Sequence, residues 1–151
     1  MTTHLANAER ALIAAAWVNP GPFASDADRL ALHLDDFDDR LCGVVAGYLR
    51  LCGESGRVPT LAGAEAVLDS FAVPRAPDEL FHLLIDTLVP RGADLTDLIV
   101  SVQRQADDRR EDECRALARD ALRAWAHAFG CRRCHACQRS SAWKGRIHHA
   151  A

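Results

Sequence analysis

The sequence predicts an all-α protein, a small helical bundle of about five to six helices followed by a long helix. Three observations carry that expectation. Hydrophobic residues make up 49% of the 151-residue chain, enough to build a core, while aromatics are only 6%. Alanine and leucine dominate the apolar fraction, and these residues carry the lowest free-energy cost in a helix. No run of Val, Ile and Thr alternating with polar residues marks a strand, whereas apolar residues recur near a period of 3.6 in segment after segment.

The first helix is expected to begin near Asn7, an N-cap residue, and to run through Val18 with Leu12, Ile13, Ala16 and Trp17 on one face. Asn19-Pro20-Gly21-Pro22 ends it, because proline cannot extend the hydrogen-bond ladder. Pro22 suits the first position of a short second helix ending around Leu34. A third helix has Asp35, Asp36, Asp38 and Asp39 at its N-terminus, where they complement the helix dipole. Leu41, Val44, Val45, Tyr48, Leu49 and Cys52 form its apolar stripe, and Gly53 and Gly56 mark its end.

Thr60 caps a fourth helix in which Leu61, Ala64 and Leu68 share a face reinforced by Val67. A loop with two prolines, Phe71 to Pro77, follows. Asp78 caps a fifth helix carrying Leu80, Phe81, Leu84, Ile85 and Leu88, which Pro90 and Gly92 break. Asp94 or Thr96 then opens a long charged helix through Leu98, Ile99, Val102 and Ala106 to about Phe129. Its middle, Gln103 to Arg115, has almost no apolar face, the pattern of a helix that bridges solvent or pairs with another chain.

Charge divides the chain unevenly. Gly130 to Ala151 holds five basic residues and no acidic one, whereas the preceding 129 residues hold 13 basic and 21 acidic. That break places a domain boundary between residues 1–129 and a basic, Cys-rich tail, 130–151, either disordered or metal-stabilised. The longest apolar stretch, Ala11 to Val18, is too short to span a bilayer and lacks the flanks of a secretory signal, so a cytoplasmic protein is expected, with no membrane contact. In that compartment six cysteines are thiols or metal ligands rather than a disulfide framework. Arginine outnumbers lysine 17 to 1 and alanine is very frequent, the composition of a high-GC bacterial genome.

Three blocks of residues resemble the N-terminal domain of DnaB-type replicative helicases. The first is Ala8 to Pro20, similar without gaps to that family's opening helix, with its Ala-Glu start and Asn-Pro stop. The second runs from Leu34 to Thr60, where Phe37 takes the family's nearly fixed phenylalanine and Gly56 its glycine. The third is Val89 to Leu95, which looks like the family's turn into its long helix. The resemblance spans about residues 8 to 125 and keeps block order and spacing. Departures are Asp38 for an aromatic, Arg40 for proline, Cys42 for histidine, Tyr48 for a small residue and Leu98 for tyrosine. Where the family continues into the second helix of a hairpin, this chain reads Gly130-Cys131.

What the resemblance implies is a non-catalytic protein–protein interaction domain acting in DNA replication. Its partners would be a replicative helicase, primase or helicase loader, or further copies of itself as a homodimer or higher oligomer. The 151 residues contain no Gly-x-x-x-x-Gly-Lys-Ser/Thr loop, so they carry no P-loop ATPase and no enzyme activity is expected.

A second, separate pattern lies in the tail. Cys131, Cys134 and Cys137 form two successive C-x-x-C spacings, and His148 or His149 is the nearest source of a fourth ligand for a structural zinc, although no cofactor is required by the interaction reading. The alternative function is accordingly a small zinc-containing nucleic-acid-binding regulator, with Trp143, Lys144 and Arg146 contacting DNA. The competing reading of the same residues is a solvated basic tail with incidental cysteines. Elsewhere, Cys42 and Cys52 fall on the apolar stripe of the third helix as core thiols, and Cys114 lies beside Arg115 in a charged helix with no general base in pattern.

Overall fold

A computed structural model of the chain describes residues 5–128 other than 88, 90 and 91. Among the described residues there are six α-helices, one 3-10 turn and no strand: α1 (Leu5–Val18), α2 (Pro20–Arg29), the 3-10 turn Leu34–Asp36, α3 (Arg40–Ser55), α4 (Leu61–Ser70), α5 (Glu79–Asp86) and α6 (Leu95–Ala128). No described helix is long and apolar enough to cross a membrane. The chain divides into two compact units between Asp108 and Arg109, so α6 contributes residues to both. The boundary expected near Gly130 lies outside the described residues.

In the first unit, α1 and α3 supply nearly half of the core. Ala11, Leu12, Ile13, Ala14 and Ala16 are all buried, so α1 is enclosed on more than the one face its periodicity indicated. α3 buries Leu41 to Ala46 without interruption, then Leu49 and Cys52. α2 packs most extensively on α3. Gly53 permits that approach: a Cβ there would meet the Pro20 carbonyl oxygen at 2.0 Å. It is a packing glycine within α3, and the end of the helix is left to Gly56 alone, whose φ of 66° gives the left-handed cap.

Several boundaries differ from the sequence expectation. α2 begins at Pro20, with only Asn19 separating it from α1, because proline at the first helical position gives up a donor that would be orphaned anyway. It stops at Arg29 rather than near Leu34. Ala31 adopts a left-handed φ of 51°, and the Leu32 amide donates back to the Ala27 carbonyl at 2.9 Å. α4 ends the same way, with Ala72 at φ 50° and the Val73 amide donating to Leu68 at 3.0 Å. In both cases the residue after the turn, Leu32 or Val73, is buried, and that burial offsets a left-handed alanine.

The acidic group also does something other than line a helix N-terminus. Asp36 belongs to the 3-10 turn and its carboxylate accepts the His33 amide at 2.9 Å. Asp39 alone caps α3, accepting the Leu41 amide at 2.9 Å. Thr60 caps α4 as its residue type indicated, accepting from Gly63 at 3.1 Å. Asp78 precedes α5 and its carbonyl accepts the His82 amide at 2.9 Å, but its side chain makes no capping bond; Glu79 instead accepts the Ala76 amide at 2.9 Å. α5 buries Leu80 and Leu83 and leaves Phe81 and Ile85 exposed, because eight residues present only one narrow stripe to the core. Leu88, also expected on that helix, lies outside the described residues. α6 opens on Asp94, which accepts the Asp97 amide at 2.7 Å, and buries Leu98, Ile99, Val102 and Ala106.

Candidate protein-interaction surfaces

Phe37, the residue at the centre of the second motif block, stands on a short connection that sequence alone left undefined. The 3-10 turn holds it, and the next two amides are fixed from a distance. Glu9 on α1, only 3% exposed, accepts the Asp38 amide at 2.7 Å through Oε1 and the Asp39 amide at 3.0 Å through Oε2. A buried carboxylate is tolerable when it is so bonded, and here it fixes the entry into α3 from 29 and 30 residues away. Glu9 was not singled out from the sequence as a positioning residue. Its signal was a lone acid directly before the unbroken apolar run of α1.

This connection walls a concave apolar surface. A cavity of about 140 Å³ lies between α2, the connection and α3, floored by Gly43, Ala46 and Gly47. A Cβ on Gly43 would press Leu34 Cδ1 at 3.2 Å, whereas one on Gly47 would meet nothing within 4 Å. A second concavity shares Leu34, Phe37 and Gly43 with the first and continues to Phe71, with Asp35, Asp38 and Arg40 at its rim. Leu34 and Phe71 are both more than half exposed. Arg40 is held there by donating to the Phe71 carbonyl at 3.0 Å. Arg50, at the other end, donates to the Leu32 carbonyl at 3.2 Å and pairs with Asp28.

The second unit presents a different surface. At 100° per residue, Cys114, Leu117, Ala118, Ala121, Leu122, Ala124, Trp125 and Ala128 all fall on one side of α6. Arg115, Arg119, Asp120, Arg123 and His127 fall on the other. Leu117, Leu122 and Trp125 are 69%, 66% and 61% exposed. The polar stretch expected from Gln103 to Arg115 therefore gives way to an amphipathic one, which sequence reasoning passed over.

For chemistry, the described thiols offer little. Cys42 is buried, and burial, then the charges of Asp39 and Glu9, push its pKa far above the ordinary thiol value, so it is a core residue and not a nucleophile. Cys52 is buried as expected, and Cys114 is exposed. Cys131, Cys134, Cys137 and His148, the residues expected to hold zinc, lie outside the described residues. Among the described residues no three His, Cys, Asp or Glu side chains converge on a point that could hold a metal ion.

Comparison of the chain with protein-family models, with curated proteins and with solved structures finds no match. The likeness to helicase N-terminal domains therefore rests on the three motif blocks alone. Within them, Phe37 is half-buried against the core and Gly56 is a left-handed helix cap. In the third block Gly92 turns the chain with φ 80° ahead of α6, while residues 90 and 91 lie outside the described residues.

Proposed function

We propose that the chain is a non-catalytic protein–protein interaction domain, similar to the N-terminal domain of DnaB-type replicative helicases, that acts in DNA replication by binding helicase, primase or loader. The observation that carries the interaction reading is the exposed apolar side of α6 between Cys114 and Ala128. Four turns of apolar helix surface in water cost free energy unless a partner covers them. The replication context rests on the three motif blocks and their spacing. The test is direct binding of the purified protein to a DnaB-type helicase, a primase and a helicase loader from one bacterium, by interferometry. Binding to one of the three, reduced at least about tenfold by the double change Leu117→Asp and Leu122→Asp, is the expected result. Binding to none of them removes the replication reading.

A second reading, a small zinc-containing nucleic-acid-binding regulator, is favoured by the charge of the second unit. Residues 109–151 hold 10 basic and 4 acidic side chains. Cys131, Cys134, Cys137 and His148 have the residue types and spacing for one structural zinc, which would tie down the basic segment. It predicts about one zinc per chain, lost on Cys134→Ser, and a DNA affinity that falls steeply with salt. Metal-free protein with no DNA affinity at low salt would eliminate it.

A further inference from the structure

The connection between α3 and α4, Arg57 to Thr60, is pinned at both ends and left open in the middle. The Arg57 amide donates to the Cys52 carbonyl at 2.9 Å, and the Thr60 amide donates to the Tyr48 hydroxyl at 3.0 Å. Between them Val58 is 82% exposed, and neither its N–H nor its C=O has a hydrogen-bond partner among the described residues. The proline that follows holds Val58 toward an extended conformation.

Beside this connection lies a cleft of about 280 Å³, between the end of α1, the start of α2 and the end of α3. Trp17, Val18, Pro20, Val58 and Pro59 make its walls apolar. Trp17 is half-buried and braced by Tyr48, their ring centroids 6.4 Å apart, while Val18 is 77% exposed. Arg57 is the one charged residue lining the cleft, and its guanidinium has no partner among the described residues. It stands free in a unit, residues 1–108, that holds 17 acidic and 8 basic side chains. We propose that this cleft binds a short extended segment of a partner protein in which an apolar side chain lies within two residues of a carboxylate.

Each part of the site selects one property of that segment. The free N–H and C=O of Val58 can pair with a peptide main chain as an exposed strand edge does. The apolar walls take a side chain, and a volume just under the range of small-molecule pockets, about 300–1,000 Å³, suits one or two of them. Arg57 offers a planar fork of donors to a carboxylate. The spacing follows because Arg57 and Val58 are neighbours, and an extended peptide advances only about 3.3 Å per residue. Since both ends of the connection are already fixed, little order is lost on binding. The site lies wholly within residues 1–108, so it is separate from the exposed side of α6 and does not depend on the replication reading.

Panning a phage-displayed library of random nonapeptides against the full chain tests it, with the enriched peptides then measured by fluorescence anisotropy. They should share an Asp or Glu within two residues of an apolar residue. Arg57→Glu, at an exposed position, should weaken their binding at least about tenfold. Replacing the peptide's acid with lysine should weaken binding to the wild type and restore it to the Arg57→Glu protein. Val58→Asp, also exposed, should weaken binding by setting a second carboxylate against the peptide's acid. Leu117→Asp with Leu122→Asp should leave the affinity unchanged, so that a failure here and a failure to bind replication proteins are read separately. Enrichment of no acidic and apolar peptide overturns the proposal. So does equal binding to the wild type and the Arg57→Glu protein, and so does loss of binding on changing Leu117 and Leu122, which would place the peptides on α6.

Discussion

Glu9 and Cys42 show how much of this molecule turns on single buried polar groups. Glu9→Gln keeps the shape but exchanges a charged acceptor of two backbone amides for one neutral carbonyl and a donor facing donors. A loss of about 1–3 kcal/mol in urea unfolding is expected, and an unchanged midpoint would mean that water serves those amides equally well. Cys42 makes stability depend on alkaline pH. Its native pKa is raised by burial and by Asp39 and Glu9, whereas in the unfolded chain the thiol ionises near about 8.5. Above that pH the unfolded state binds fewer protons than the native state, so the stabilisation is complete below about pH 8.5 and is lost as pH rises. Cys42→Ala, weaker at neutral pH for its lost packing, should therefore lose less stability between about pH 8 and about pH 10 than the wild type. Parallel slopes for the two proteins would contradict the assignment. Of these two residues the thiol was legible, since it lay on the helical stripe. The carboxylate was not, because its partners are amides 29 and 30 residues away.

At the scale of elements, glycines separate what must be small from what happens to be small. Gly53→Ala places a methyl 2.0 Å from the Pro20 carbonyl oxygen, backbone that cannot step aside without parting α2 from α3. A loss of about 3 kcal/mol or more in thermal or urea unfolding is expected. Gly47→Ala, one and a half turns earlier in α3, meets nothing and should raise stability by about 0.5–1 kcal/mol, as alanine does in an open helix interior. Equal effects from the two changes would refute the α2–α3 packing described here. Element identity was largely readable: the helices from α1 to α6 fall near their expected positions, and the caps Asp39, Thr60 and Asp94 are of the expected chemical type. Boundaries set by Ala31 and Ala72 were not readable, since alanine is a helix former and is left-handed here only because Leu32 and Val73 are drawn into the core.

For the whole molecule, the division at Asp108 runs through a continuous helix, so its two parts should differ in protection. Residues 95–108 bury Leu98, Ile99, Val102 and Ala106, while residues 109–128 are almost entirely exposed. In hydrogen exchange, amides from 109 to 128 should exchange at least about tenfold faster than those from 98 to 106. Uniform protection along α6 would show that the second unit is covered in the single chain. The sequence by itself determined the all-helical class, the order of the helices, the caps at Thr60, Asp94 and Gly56, and the separation of acidic from basic charge. These follow from periodicity and local chemistry within a few residues. Only the tertiary structure decided that Glu9 anchors the start of α3, that Gly53 serves packing rather than the helix end, and that a groove with an acidic rim opens over Gly43 and Gly47. Each of those depends on which distant segments meet, a property of long-range contacts that no local pattern encodes.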